Sequence, residues 1–243
     1  MGIFSALGGA TLAQPAPKLS KPQIIVIGVF WTVYLVLAAG IALEDAGPAM
    51  LPLSPVLIPV IWGGIHLWQG DIRAFLANSA IPGWVLFGIL GLLLSTITIG
   101  ATIGFGVRER AASDIPAAAS TLVFIGPWAG LLAATWLARR RWKFRSYHAF
   151  WTLGALGALT EQGGAMPTAL LEGDIVGGLL LAVYLVPAYG VGVAATLGVM
   201  PERKLPEAKR APTVGAFAAL IALMWIGFAI FSALWVVILR GIF

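Results

Sequence analysis

IVGGLLLAVYLVPAYGVGVAATLGVM (Ile175–Met200) runs uncharged into PERKLPEAKRAPT (Pro201–Thr213), and VGAFAALIALMWIGFAIFSALWVVIL (Val214–Leu239) is uncharged again. Each apolar run is near the ~20 residues that cross about 30 Å of hydrocarbon as a helix. The segment between them is short and rich in arginine and lysine. This stretch predicts two transmembrane helices joined by a basic loop.

Five further runs read the same way. They are Gln23–Leu43, Ala49–Trp68 with Pro52, Pro55 and Pro59, Gly83–Phe105, Ala118–Ala138, and one from Tyr147 that fades after Thr160. The predicted fold class is therefore all-α, a polytopic integral membrane bundle of about seven helices. Residues 1–22 form a cytoplasmic or interfacial tail, and 23–243 form a single bundle. Composition agrees: 60% of the chain is hydrophobic and 10% charged, against about 45–50% and about 25% in soluble domains. The 30 glycines suit helix contacts in lipid, where small residues let backbones approach.

The cations set the orientation. With the amino terminus inside, the inner segments hold Lys18, Lys21, Arg73, Arg139, Arg140, Arg141, Lys143, Arg145, Arg203, Lys204, Lys209 and Arg210. The outer segments hold Arg108, Arg110 and Arg240. The positive-inside rule then places the loops at 139–146 and 201–213 in the cytoplasm, as for a bacterial inner-membrane protein, and the carboxyl terminus outside. Trp68, Trp84, Trp142, Tyr147 and Trp151 flank the inner boundaries as an aromatic belt. The net charge of +5 thus reflects topology and anionic lipid, not nucleic acid. Arg139, Arg140, Arg141, Lys143 and Arg145 are the candidate contacts to lipid headgroups.

Several chemistries are excluded. The chain has no cysteine, hence no disulfide, thiolate metal site or cysteine nucleophile. It has no HExxH and no GxSxG. The last run holds no lysine, so no retinal Schiff base forms there.

What remains is a small set of polar residues at membrane depth. Thr160-Glu161-Gln162-Gly163-Gly164 interrupts the fifth run. Glu161 stands ~20 Å along the helix from His148, at 1.5 Å per residue. An ionised carboxylate in hydrocarbon is costly, so the chain must hide, hydrate or protonate it, which makes an intramembrane acid a functional candidate. Gly163 and Gly164 are expected to let a neighbouring backbone approach, with Thr160 or Tyr184 as donor. Glu161, Gln162 and Tyr184 form the candidate binding set. Residues 165–174 are left open between loop, re-entrant piece and helix. The two histidines, His66 and His148, fall at the cytoplasmic ends of their helices and are the candidate axial ligands for a haem or a chlorophyll-type pigment. Prolines in the second and sixth runs mark either broken helices at a substrate site or ordinary membrane-helix prolines. Gly100 and Gly104, and Gly126 and Gly130, have the GxxxG spacing of close helix contacts.

The leading expectation is a carrier or channel for a small solute or ion. The alternatives are a non-catalytic subunit of an energy-transducing or photosynthetic membrane complex, and a membrane enzyme acting on lipid or quinone with Glu161 as acid or base. The expected partners are the bilayer, further copies of the chain, or other membrane proteins.

Overall fold

The computed structural model describes residues 28, 29, 31, 32, 36, 53–110 and 125–242, without the side chains of 53–57, 99–110, 162, 241 and 242. Seven α-helices fall in the two long stretches: α1 Leu53–Asn78, α2 Gly83–Arg110, α3 Ile125–Arg141, α4 Ser146–Thr160, α5 Ala165–Leu171, α6 Ile175–Val199 and α7 Val214–Ile242. Short 3-10 turns cover Glu161–Gly163 and Glu202–Lys204. Among the described residues there is no strand, only an isolated backbone bridge between Trp142 and Arg210. The protein is all-α.

Two helices, Ile175–Val199 and Val214–Arg240, are long and apolar enough to cross a membrane, and Gly83–Thr98 is a shorter apolar stretch. The first expected run, 23–43, lies mostly outside the described residues, as do 118–124 of the fourth. The second run extends ten residues further than its apolar letters, through Gln69, Asp71 and Arg73 to Asn78. Residues 165–171 are helical, but at 7 residues α5 covers only ~10 Å, too short to span.

Helix α6 is the hub. It packs most extensively on α4 and also touches α2, α5 and α1, whereas α7 packs almost wholly on α3. Small residues make this possible. A Cβ on Gly154 would strike Val186, one on Gly190 would strike Phe150, and one on Gly192 would strike Ser95. The pairings 150 with 190 and 154 with 186 run α4 and α6 antiparallel. Gly130 and Gly227 meet backbone to backbone across α3 and α7, and Gly126 lies against Phe231 and Trp235. The Gly126/Gly130 spacing thus marks a real helix crossing. The hydroxyl of Thr98 donates to the carbonyls of Leu94 and Ser95 in its own helix at 3.0 and 3.1 Å.

Among the described residues these prolines break nothing. α1 continues through Pro59 and α6 through Pro187, so the broken-helix expectation is not met there. Each ring removes one N–H from the ladder, and the neighbouring helices hold the rest in register.

The cationic loops gather at one end. Lys143 N–H donates to Arg210 O at 2.7 Å. Lys204 Nζ donates to Ser79 O at 2.6 Å and to Ile81 O at 2.8 Å, and Arg203 donates to Ala77 O. Gln69 Nε2 and Arg73 Nε both donate to Gly198 O, at 2.6 and 2.8 Å. Cationic donors thus satisfy carbonyls at and just beyond helix C-termini, where the helix dipole favours positive charge. Glu161, Glu172 and Asp174 lie towards the opposite end, where α4 finishes and α6 begins.

The glycine contacts are testable as a pair. Gly130→Ala is expected to lower the thermal midpoint of the detergent-solubilised protein, because its methyl meets the Gly227 backbone and overpacking typically costs about 1–3 kcal/mol. Gly88 has nothing within 4 Å of an added Cβ, so Gly88→Ala is expected to hold or raise the midpoint through helix propensity. Equal midpoints for the two variants would contradict the close α3–α7 crossing.

Candidate functional site

Glu161 follows directly on α4, where a 3-10 turn replaces the α-helical one. Two successive residues beyond it, Gly163 and Gly164, have φ of +70° and +88°. That left-handed pair reverses the chain into α5, a conformation glycine adopts without strain. An added Cβ on Gly163 would meet nothing within 4 Å. These glycines therefore serve the turn, and no neighbouring backbone approaches Gly163 as the sequence reading supposed.

The glycine that makes room for a partner is Gly157, four residues earlier on the face of α4 that carries Glu161. A Cβ there would run into the ring of Tyr189. Side chains on a helix lean towards its N-terminus, so in the antiparallel pair the Tyr189 ring lies along α6 over Gly157. Its hydroxyl donates to the carboxylate of Glu161. Trp128 of α3 is buried and stacks on the same ring, with centroids 6.2 Å apart and planes 24° off parallel. The acid is half-buried, held by a phenol that is itself clamped between a glycine and an indole.

This pair lines a cavity of about 340 Å³ bounded by α3, α4, α6 and α7. Its other walls are apolar or aromatic, including Leu131, Leu153, Leu156, Met224, Trp225 and Phe228. Clefts of about 300–1,000 Å³ with apolar walls and a few placed polar groups are the usual form of small-molecule sites.

The other candidates fall elsewhere. Tyr184 packs against the cluster of Ile58, Ala188 and Val191 and does not line the cavity that holds Glu161. Thr160 donates to its own helix at Leu156 O, 2.8 Å. The side chain of Gln162 lies outside the described residues. Tyr189 and Trp128 were missed in the sequence, since both read there as ordinary apolar-span aromatics.

His66 is exposed on α1. His148 Nδ1 accepts from Arg145 N–H at 3.0 Å, and its ring sits among Phe144, Tyr147 and Phe217. Among the described residues no hydrogen bond or ring contact joins the two histidines, and no group of three or more metal-binding side chains occurs.

The basic cluster divides. Arg140, Arg141, Lys143 and Arg145 are exposed. Arg139 departs from the headgroup expectation: it is 4% exposed and pairs with Glu202 at 3.2 Å. α3 runs on through Arg141, and the added turn rotates Arg139 inward onto the 201–213 loop. A second cavity of about 370 Å³ there is lined by both signs of charge, with Arg139, Lys143 and Arg203 beside Glu202 and Glu207. Arg139→Ala is expected to lower the thermal midpoint clearly while Arg140→Ala leaves it unchanged, because only the first is buried and paired. Indistinguishable melting curves would return Arg139 to the exposed cluster.

No protein-family profile, no curated protein and no solved structure matches this chain.

Proposed function

We propose that this chain is a polytopic membrane carrier of a small solute, with Glu161 as the group that couples transport to a proton or cation. The observation that carries this reading is the Glu161–Tyr189 hydrogen bond in the wall of an apolar cavity between helices. A carrier needs a polar group that binds and releases within the bilayer, and intramembrane acids serve that purpose in proton relays. The seven-span topology, inner-membrane location and inward cationic end belong to the same proposal. Its supports are the two membrane-length helices, the cations gathered at one end, and the exposed Trp68, Trp84, Tyr147 and Trp151 on the helices that meet it. The exposed Arg140, Arg141, Lys143 and Arg145 then meet anionic headgroups.

One observation favours a second reading, a non-catalytic subunit of a larger membrane complex. The apolar window of α7 is only 6% buried, a face that either lipid or a partner protein could cover. Co-purified subunits or a visible chromophore after mild extraction would support that reading. A colourless lone chain or homo-oligomer supports the carrier.

In proteoliposomes carrying a proton gradient, Glu161→Gln is expected to abolish coupled flux while leaving the elution profile of the protein intact, because the amide keeps the shape and loses the charge. Tyr189→Phe, which keeps the ring and loses the donor, is expected to reduce flux without abolishing it. Coupled flux unchanged in Glu161→Gln would refute the assignment. For topology, Lys209→Cys in the cysteine-free chain is expected to react with an impermeant maleimide only after the cells are permeabilised. Labelling in intact cells would invert the orientation.

A further inference from the structure

We infer that the cavity beside Glu161 takes a lipophilic organic cation, an amine or quaternary ammonium with an aromatic or branched apolar body. This rests on the carrier reading and specifies its cargo. Three features of the cavity point the same way.

The charge comes first. Among the described residues Glu161 is the single carboxylate in the lining, and no arginine, lysine or histidine lines the cavity. A site with one acid and no base is complementary to positive charge and opposes anions. Tyr189 donates to one carboxylate oxygen, which leaves the second for a guest.

The aromatic rings come second. Trp128, Tyr189, Trp225 and Phe228 reach the cavity from three different helices. Trp225 and Phe228 stand edge to face, 6.2 Å apart and 72° between planes. An aromatic face attracts a cation through its quadrupole, most strongly where water is excluded. A bulky ammonium cannot make the hydrogen bonds that a hydrated metal ion or a sugar would demand, and these walls offer few.

The route in comes third. α4 and α7 scarcely touch, and the residues on that side, Thr160, Trp225 and Phe228, are exposed. Among the described residues the cavity therefore opens sideways between two helices, towards the lipid in the proposed topology. A guest entering there must partition into the bilayer first, which selects an apolar body around the charge.

The exchange balances simply. The protonated acid releases its proton to water as the cation binds, the O–H bond breaks, and the carboxylate remains as counter-ion. Release reverses the step when a proton returns. Proton and cation thus compete for one carboxylate, so affinity for the cation falls as pH falls.

The test uses benzyltrimethylammonium and its neutral carbon isostere neopentylbenzene, with tryptophan fluorescence of the purified full-length protein as the readout. Wild type is expected to bind the cation and ignore the isostere, with affinity weakening towards acid pH. Glu161→Gln is expected to weaken binding by about tenfold or more, the scale of one lost charge interaction, and to remove the pH dependence. Should Glu161→Gln fold poorly, Trp225→Ala at the exposed rim is expected to weaken the cation alone. Equal binding of cation and isostere, or an unchanged affinity in Glu161→Gln, would overturn the inference. Uptake separates this from the parent reading. Proton flux that depends on Glu161 without cation binding removes the cargo class and keeps the carrier. Cation binding without uptake into proteoliposomes keeps the ligand class and removes the carrier.

Discussion

Helix α6 touches four other helices, and the rest of the structure hangs on how closely they come. Between apolar helices in lipid there is no hydrophobic gain from association, since the tails are as apolar as leucine. What holds such helices together is van der Waals contact over short distances, which falls off steeply with any gap. Glycine at 154, 157, 190 and 192 brings α4, α2 and α6 to that distance. At three of these positions an added methyl would meet backbone as well as side chain, which has nowhere to go. The α3–α7 pair uses the same device at Gly130 and Gly227 and stands as an outer layer on the hub.

The site is a by-product of that packing. Because Gly157 has no side chain, the Tyr189 ring fits between the helices, and its hydroxyl arrives at the residue one turn further along α4. Because the α-helix gives way to a 3-10 turn at Glu161, the acid falls at the end of α4 and is only half-buried. Both features lower the cost of keeping a carboxyl group beside an apolar cavity. The acid is neither sealed in nor free, the condition that the proposed proton exchange needs.

Much of the architecture was legible in the letters. Runs of apolar residues near membrane length gave most helix cores within a few residues, and the basic loops gave their shared end. The ends were harder. α1 and α3 continue into Gln69–Asn78 and Arg139–Arg141 because polar side chains there find carbonyls and Glu202 on other elements, a tertiary payoff invisible to hydropathy. Glu161 was legible as a misfit in an apolar run. Its partner was not, because Tyr184 and Tyr189 lie on different faces of α6. That helix is apolar all round, as a helix buried among neighbours or lipid must be, so no stripe tells which face meets α4. The meaning of Gly157 depends on the same unknown.

α7 poses the converse problem. It is the most apolar of the long helices and among the least buried, so its composition reflects what surrounds the protein more than what it packs against. Gly227, Phe228, Phe231 and Trp235 lie against Gly126 and Gly130 of α3, and Ala216, Leu220 and Met224 are buried. On the adjoining strip Trp225 and Phe228 turn from the outer surface into the cavity mouth. α7 is held to α3 at the Gly130–Gly227 crossing, scarcely touches α4, faces outward over most of its circumference and contributes the rim of the cavity. α4, by contrast, is locked to α6 along its length and fixes the acid in place. The charge thus sits on the α4–α6 pair and the rim on the α3–α7 pair, each pair closed by its own glycines, with the cavity between them.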